Sequence, residues 1–227
     1  MKTPETSRVP LAEKQFEGGN AAGFYDEHAR SFMSTIYRRF AKKAAGITTT
    51  GNRVLDIGTG NGLLPIELIK ARPDWQITGI DISEEMLTLA RENAAKAGLS
   101  GKIVFQKTSA EVLPFPDGGY DIIVSNASLH LWEDPLKIFS EIGRVTAPGG
   151  SLLLWDNLRV PSFYPFFNLI GWIIGMNGEQ RRLWLKAIRS SYNTGEIKTI
   201  LKQSALKDAR VTINPWLLEL EIKWHKP

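Results

Sequence analysis

The stretch Val54-Leu55-Asp56-Ile57-Gly58-Thr59-Gly60-Asn61-Gly62 constrains this chain more than any other. Strand-forming residues pass into glycine at every second position, and an apolar helix pattern starts at once with Leu63. Glycine permits dihedrals closed to other residues and lets a ligand approach the backbone closely. The helix that follows offers free N–H groups and the positive end of its dipole. Such a loop needs a strand before it and a helix after it, and its natural guest is a nucleotide-type cofactor at the C-terminal edge of a parallel sheet.

The rest of the chain carries the matching rhythm. Strands are expected over 53–57, 76–81, 102–106, 120–125 and 151–155, separated by helices over 63–70, 84–97 and 134–145. Gly98 stands just past the second helix as its stop, and Pro148-Gly149-Gly150 closes the third. Strands alternating with helices imply crossover connections and an α/β doubly wound fold. Before this core, residues 1–23 read as a mobile lead-in and 24–45 as an amphipathic helix, with Tyr25, Phe32, Ile36, Tyr37 and Phe40 at three- and four-residue spacing. After it come a helix over 194–204 and two strands over 209–213 and 217–224.

Residues 158–193 break the rhythm. Phe163, Tyr164, Phe166, Phe167, Trp172, Ile173 and Ile174 lie too close together for one helix face to hide, and Arg182, Lys186 and Arg189 form a stripe on a second helix over 179–191. Three readings are open: a lid over an acceptor, a homodimer contact, or peripheral membrane contact through 161–191. One domain over 1–227 is expected, made of an N-terminal lid (1–45), a cofactor-binding core (46–157), this insert (158–193) and a C-terminal helix with two strands (194–227).

Composition narrows the chemistry. Cysteine is absent, which removes disulfides, thiolate nucleophiles and cysteine-ligated metal. No run reaches the roughly 18 apolar residues of a membrane span, and the polar first 14 residues carry no apolar segment, so a cytoplasmic enzyme is the simplest expectation. Between Ala44 and Asn157 there are 9 basic against 14 acidic residues, whereas the flanks hold the other 19 basic and 10 acidic ones. Basic flanks around an acidic core suit solvated helix faces, an anionic acceptor or an acidic membrane surface.

Asp81 ends the second strand, 19 residues beyond Gly62, where a carboxylate can accept hydrogen bonds from both hydroxyls of a ribose. A nicotinamide enzyme shares this pairing, but its fingerprint is G-x-G-x-x-G. Here the third glycine comes one residue early and Leu63 fills the dinucleotide position, which suits a ligand with no pyrophosphate to seat.

With these residues in place, 53–157 resembles the class I S-adenosylmethionine-dependent methyltransferases, in particular the small-molecule branch that includes quinone C-methyltransferases. The resemblance implies S-adenosyl-L-methionine as cofactor and a Rossmann-like, seven-stranded sheet with an antiparallel last strand. It implies that Asp56, Gly58, Thr59, Gly60, Asn61 and Gly62 surround the methionine part, and that Ile82 and Met86 flank the adenine, with Asp81 on the ribose. Ser109, Ala110 and Glu111 are similar to the adenine-edge segment, Asn126 to the strand tip beneath the methionine, and Tyr25 to a lid residue over the cofactor. Two departures stand out: Ser109 replaces an Asp common in relatives, and His130-Leu131 stands where relatives often have two histidines.

For catalysis the candidate is His130, just beyond the fourth strand, as a general base at neutral pH. The bland alternative has it packing on Trp132 or capping the next helix. Asp156-Asn157 supplies one carboxylate, too little charge for a hard-cation site, so no metal is expected. Ser125-Asn126-Ala127-Ser128 lacks the proline-rich tip of base methyltransferases, which disfavours nucleic acid. The expected function is therefore methyl transfer to a small apolar or aromatic acceptor by in-line displacement. The alternatives are a membrane-surface lipid or quinone methyltransferase and a non-catalytic S-adenosylmethionine-binding protein.

Overall fold

The computed structural model describes residues 8–9, 34–47, 51–173, 177–215 and 217–227. Helix α1 covers Ser34–Ala45; the earlier turns expected for it, together with Tyr25 and Phe32, lie outside the described residues. Strands β1 (Arg53–Ile57), β2 (Gln76–Asp81), β3 (Ile103–Lys107), β4 (Tyr120–Asn126) and β5 (Thr146–Asn157) pair in parallel. β7 (Glu219–His225) lies antiparallel between β5 and β6 (Arg210–Asn214), giving one sheet in the order β3-β2-β1-β4-β5-β7-β6. The expected architecture is therefore present, including the antiparallel last strand. Strand order reverses between β1 and β4, and the crevice at such a switch point is where α/β sheets bind ligands.

Why the sheet is covered on both faces is written into its strands. Val54, Ile122, Val124, Leu153 and Trp155 face a layer containing α1, α2 (Leu63–Ala71) and α3 (Glu84–Lys96). Their sequence neighbours Leu55, Ile57, Ile123, Leu152 and Leu154 face α4 (Pro135–Val145) and α7 (Thr194–Lys202). Side chains alternate across a strand, so a near-continuous apolar run is buried only when helices sit on both sides. Helix starts are capped locally: the Ser83 hydroxyl accepts from the Met86 N–H at 3.3 Å, and the Asp134 carboxylate from the Lys137 N–H at 3.1 Å with Pro135 at the first helical position. Asn193 and Glu196 form a reciprocal capping box on α7.

Most expected boundaries move by one or two residues, and the start of β5 moves by five. α4 passes directly into β5 at Thr146, and Pro148-Gly149-Gly150 lies inside the strand instead of closing the helix. The register jumps from Tyr120↔Thr146 to Ile122↔Ser151, so these residues form an irregularity in the ladder. The neighbouring terminus holds it: Gly149 N–H donates to the Lys226 carbonyl at 3.0 Å, and Lys226 N–H to the Gly150 carbonyl at 2.9 Å.

The insert consists of a short turn, α5 (Tyr164–Ile173) and α6 (Gly178–Ser190). It leaves and rejoins the core at a single point, where Arg159 N–H donates to the Tyr192 carbonyl at 3.1 Å. The buried Arg159 guanidinium closes the same junction, donating to the Ser191 carbonyl at 3.0 Å and pairing with Glu196. Among the described residues no helix is long and apolar enough to cross a membrane.

Candidate active site

Gly58, Gly60 and Gly62 all have positive φ, at 71°, 54° and 74°. Two of them also answer to crowding. A Cβ on Gly58 would stand 2.6 Å from that of Ser128, and one on Gly62 would stand 2.8 Å from that of Ala90. Only glycine lets the loop pass this close to the β4 tip and to α3. The loop is pinned from β2: Gly58 and Thr59 N–H groups both donate to the Ile80 carbonyl, at 3.0 and 2.9 Å. Gly62 caps α2 with its backbone alone, and Pro65 removes one N–H from the first turn, which weakens this helix end as a phosphate seat.

Two carboxylates flank the loop. Asp81 accepts from Gly60 N–H at 2.9 Å and from Ser83 N–H at 3.0 Å, so it shapes the loop as well as presenting its remaining lone pairs. Burial raises its carboxyl above the usual range, against the pull of those backbone donors. Asp56 is fully buried, and neither of its oxygens has a hydrogen-bond partner among the described residues. Burial pushes it up to about 7; the nearby Thr59 hydroxyl, though outside hydrogen-bond geometry, opposes the rise, and the Asp81 charge adds to it. The Thr59 hydroxyl is also buried and unpartnered. A buried carboxylate without a donor is costly, so the site is built for a guest that brings positive charge and hydrogen-bond donors. The methionine end of S-adenosylmethionine, with its α-ammonium beside a sulfonium, fits that requirement.

The residues expected on the adenine side follow β2 and β3. Ile82 and Met86 are half-buried after β2, and a Cβ on Gly60 would lie 3.4 Å from the Met86 methyl. The segment carrying Ser109, Ala110 and Glu111 is tied to β2 by Thr108 N–H donating to the Asp81 carbonyl at 3.1 Å. Ser109 is exposed, and its hydroxyl accepts from Glu111 N–H at 3.2 Å. Arg144 holds the continuation of this segment through the carbonyls of Leu113 and Phe115, at 2.9 and 2.7 Å.

At the β4 tip, Asn126 is half-buried and Ala127 takes a φ of 56°, rare for a residue with a side chain. The Ser125 and Ser128 hydroxyls both reach the Ile57 carbonyl, at 2.9 and 3.3 Å, which welds this tip to the glycine loop. His130 follows, buried, its Nδ1 2.8 Å from Asp156 Oδ1 and its backbone N–H 3.0 Å from Oδ2. Asp156 Oδ1 also accepts from Asn157 N–H at 2.6 Å. The carboxylate can only accept, so Nδ1 is the donor in this contact. The following helix is capped by the Asp134 side chain, not by His130.

Sequence reasoning weighed Asp156 only as a metal ligand and missed its pairing with His130. The signal was the sheet order, which places the ends of β4 and β5 side by side. Arg8 was also missed, within a segment expected to be mobile. It donates to the carbonyls of Ser190 at 2.6 Å and His130 at 3.2 Å, and stacks 4.1 Å over the Tyr192 ring.

Comparison with known proteins agrees with this geometry. A family profile described as a methyltransferase domain matches residues 48–159. The chain is 36% identical over 142 residues to 27-O-demethylrifamycin SV methyltransferase of Amycolatopsis mediterranei, covering 62% of this chain and 52% of that protein. It is 31% identical over 180 residues to the ubiquinone/menaquinone biosynthesis C-methyltransferase UbiE of Pseudomonas fluorescens, covering 74% of this chain and 70% of that one. The chain thus spans about half the length of the first relative and over two thirds of the second. In fold it is similar to the plantazolicin methyltransferase BpumL in complex with SAH, with TM-score 0.74, 15% identity and coverage of 95% and 93%. A SAM-dependent methyltransferase from Aquifex aeolicus gives TM-score 0.66 at 22% identity, covering 91% and 98%.

Proposed function

Because this chain belongs to the class I S-adenosylmethionine-dependent methyltransferases, we propose that it methylates a small, apolar or aromatic acceptor whose proton is taken by His130. The observation that carries this is the buried His130–Asp156 pair on a β4 tip welded to the glycine loop. S-adenosylmethionine supplies a methyl group on a sulfonium sulfur, which the acceptor atom takes by in-line displacement. Asp56 and Thr59 hold the methionine end, Asp81 the ribose, and Ile82, Met86 and the 109–111 segment the adenine. Orientation of this kind contributes on the order of 7–11 kcal/mol.

His130 removes the acceptor proton at Nε2, and Asp156 fixes the tautomer and the ring and stabilises the imidazolium that forms. A base of this sort favours acceptors with an acidic proton to lose, such as a phenol or a quinol. The relatives are named for 27-O-demethylrifamycin SV and for C-methylation in quinone biosynthesis, so the reacting atom differs within the family. The insert supports an apolar acceptor: its inner face brings Phe167 and Trp184 together at 5.4 Å, and α6 packs on the turn that carries His130.

The test is a labelled-methyl transfer screen against quinols, phenols, amines and thiols. Turnover is expected on a phenolic or quinol acceptor. His130→Ala should lower it by about 10²–10⁴-fold with affinity for S-adenosylhomocysteine unchanged, and Asp156→Asn should lower it through the wrong tautomer. Transfer to amines only, or normal turnover in His130→Ala, would contradict the assignment.

A further inference from the structure

The described residues of the apolar part of the insert are divided between two faces. Phe167 and Gly171 point inward and are buried, while Phe163, Phe166, Leu169, Trp172 and Ile173 are exposed, the last two at 67% and 66%. Phe166, Leu169 and Ile173 recur at helical spacing, so they form a continuous ridge along α5, which carries no charged side chain. A ridge of this size on the outside of a folded protein marks an interaction surface.

Charge identifies what it faces. α6 carries exposed Arg182, Lys186 and Arg189 at i, i+4 and i+7. The Arg189 guanidinium lies 5.2 Å from the centre of the Tyr164 ring, so the stripe meets α5 at its first residue. Across 158–193 the basic residues number five and Glu179 is the only acidic one. A second copy would bring two such stripes together around a shared axis, and the insert's single acidic residue cannot offset them. An aromatic ridge with a cationic border instead matches an interfacial helix lying in the plane of a bilayer, its cations among acidic headgroups.

We propose that the outer face of α5, bordered by the α6 stripe, docks this protein on an anionic lipid bilayer. The proposal builds on the apolar-acceptor reading, since it places the turn carrying His130 beneath an insert seated where apolar molecules dissolve. The two ideas nevertheless separate experimentally.

The full chain is to be sedimented with vesicles of phosphatidylcholine alone and with vesicles half phosphatidylglycerol. Binding is expected to the anionic vesicles and to fall steeply with salt. Arg182→Gln with Lys186→Gln should weaken it, by roughly fivefold per charge removed. Phe166→Ser with Trp172→Ser should weaken it more than tenfold while leaving turnover on a water-soluble acceptor unchanged. Absent binding, equal binding to both vesicle types, or binding indifferent to the Ser variants would overturn the proposal. Light scattering that shows a concentration-dependent dimer abolished by the Ser pair would overturn it in favour of a second copy. Vesicle binding with transfer to polar acceptors only would leave docking standing and remove the acceptor reading; apolar transfer without vesicle binding would do the reverse.

Discussion

At the scale of single residues, Asp56 carries the clearest conflict between stability and function. Its carboxyl lies near 7 in the folded chain against about 3.9 when unfolded. The folded state then holds an extra proton between these values, so stability falls as pH rises from about 4 to about 7 and is constant beyond. The loss amounts to about 4 kcal/mol for the ligand-free protein. Asp56→Asn removes it, so its Tm should exceed wild type at pH 8 by more than at pH 5, while S-adenosylhomocysteine binding collapses. A Tm difference that is the same at both pH values would show that Asp56 is not the strained group. Wild-type affinity for the cofactor should rise with pH up to about 7 as the proton leaves. Residues of this kind were only half legible in sequence. The motif pointed to Asp56, Gly58, Gly62 and Asp81, but not to the unsatisfied oxygens of Asp56 or to the Gly60 and Ser83 hydrogen bonds that make Asp81 part of the loop. Asp156 stayed hidden because 26 residues separate it from His130.

Among the elements, strands were easier to read than their ends. β1 and β2 follow from short apolar runs between turn residues, whereas β5 begins five residues before the expected Ser151. Pro148-Gly149-Gly150 reads as a turn, and its long-range hydrogen bonds to Lys226 help to keep it in the ladder. The insert resisted assignment for a different reason: periodicity marks a ridge as apolar but does not say whether protein, lipid or water lies beyond it. Deleting residues 162–190 separates the elements. Every proposed cofactor contact among the described residues lies before residue 158, and the Arg159–Tyr192 junction closes the gap. The shortened chain should therefore bind S-adenosylhomocysteine within about threefold of wild type by calorimetry, yet fail to methylate. Retained turnover would mean that the insert does not roof the acceptor.

For the molecule as a whole, binding is expected to be visible as stability. A ligand at a hundred times its Kd stabilises by about 2.7 kcal/mol, or roughly 5–10 °C in Tm for a chain of this size. S-adenosylhomocysteine should produce such a shift and NAD none, because the early Gly62 and Pro65 leave no seat for a pyrophosphate; an NAD-induced shift would overturn the cofactor-site reading. The junction at Arg159 has a further consequence for how such proteins diversify. The two ends of the insert are held side by side by the Arg159–Tyr192 backbone hydrogen bond and the buried Arg159 guanidinium, so its length and sequence can drift without changing the register of any strand. A lineage can exchange this cassette and acquire a new acceptor while inheriting its methyl-donor machinery intact.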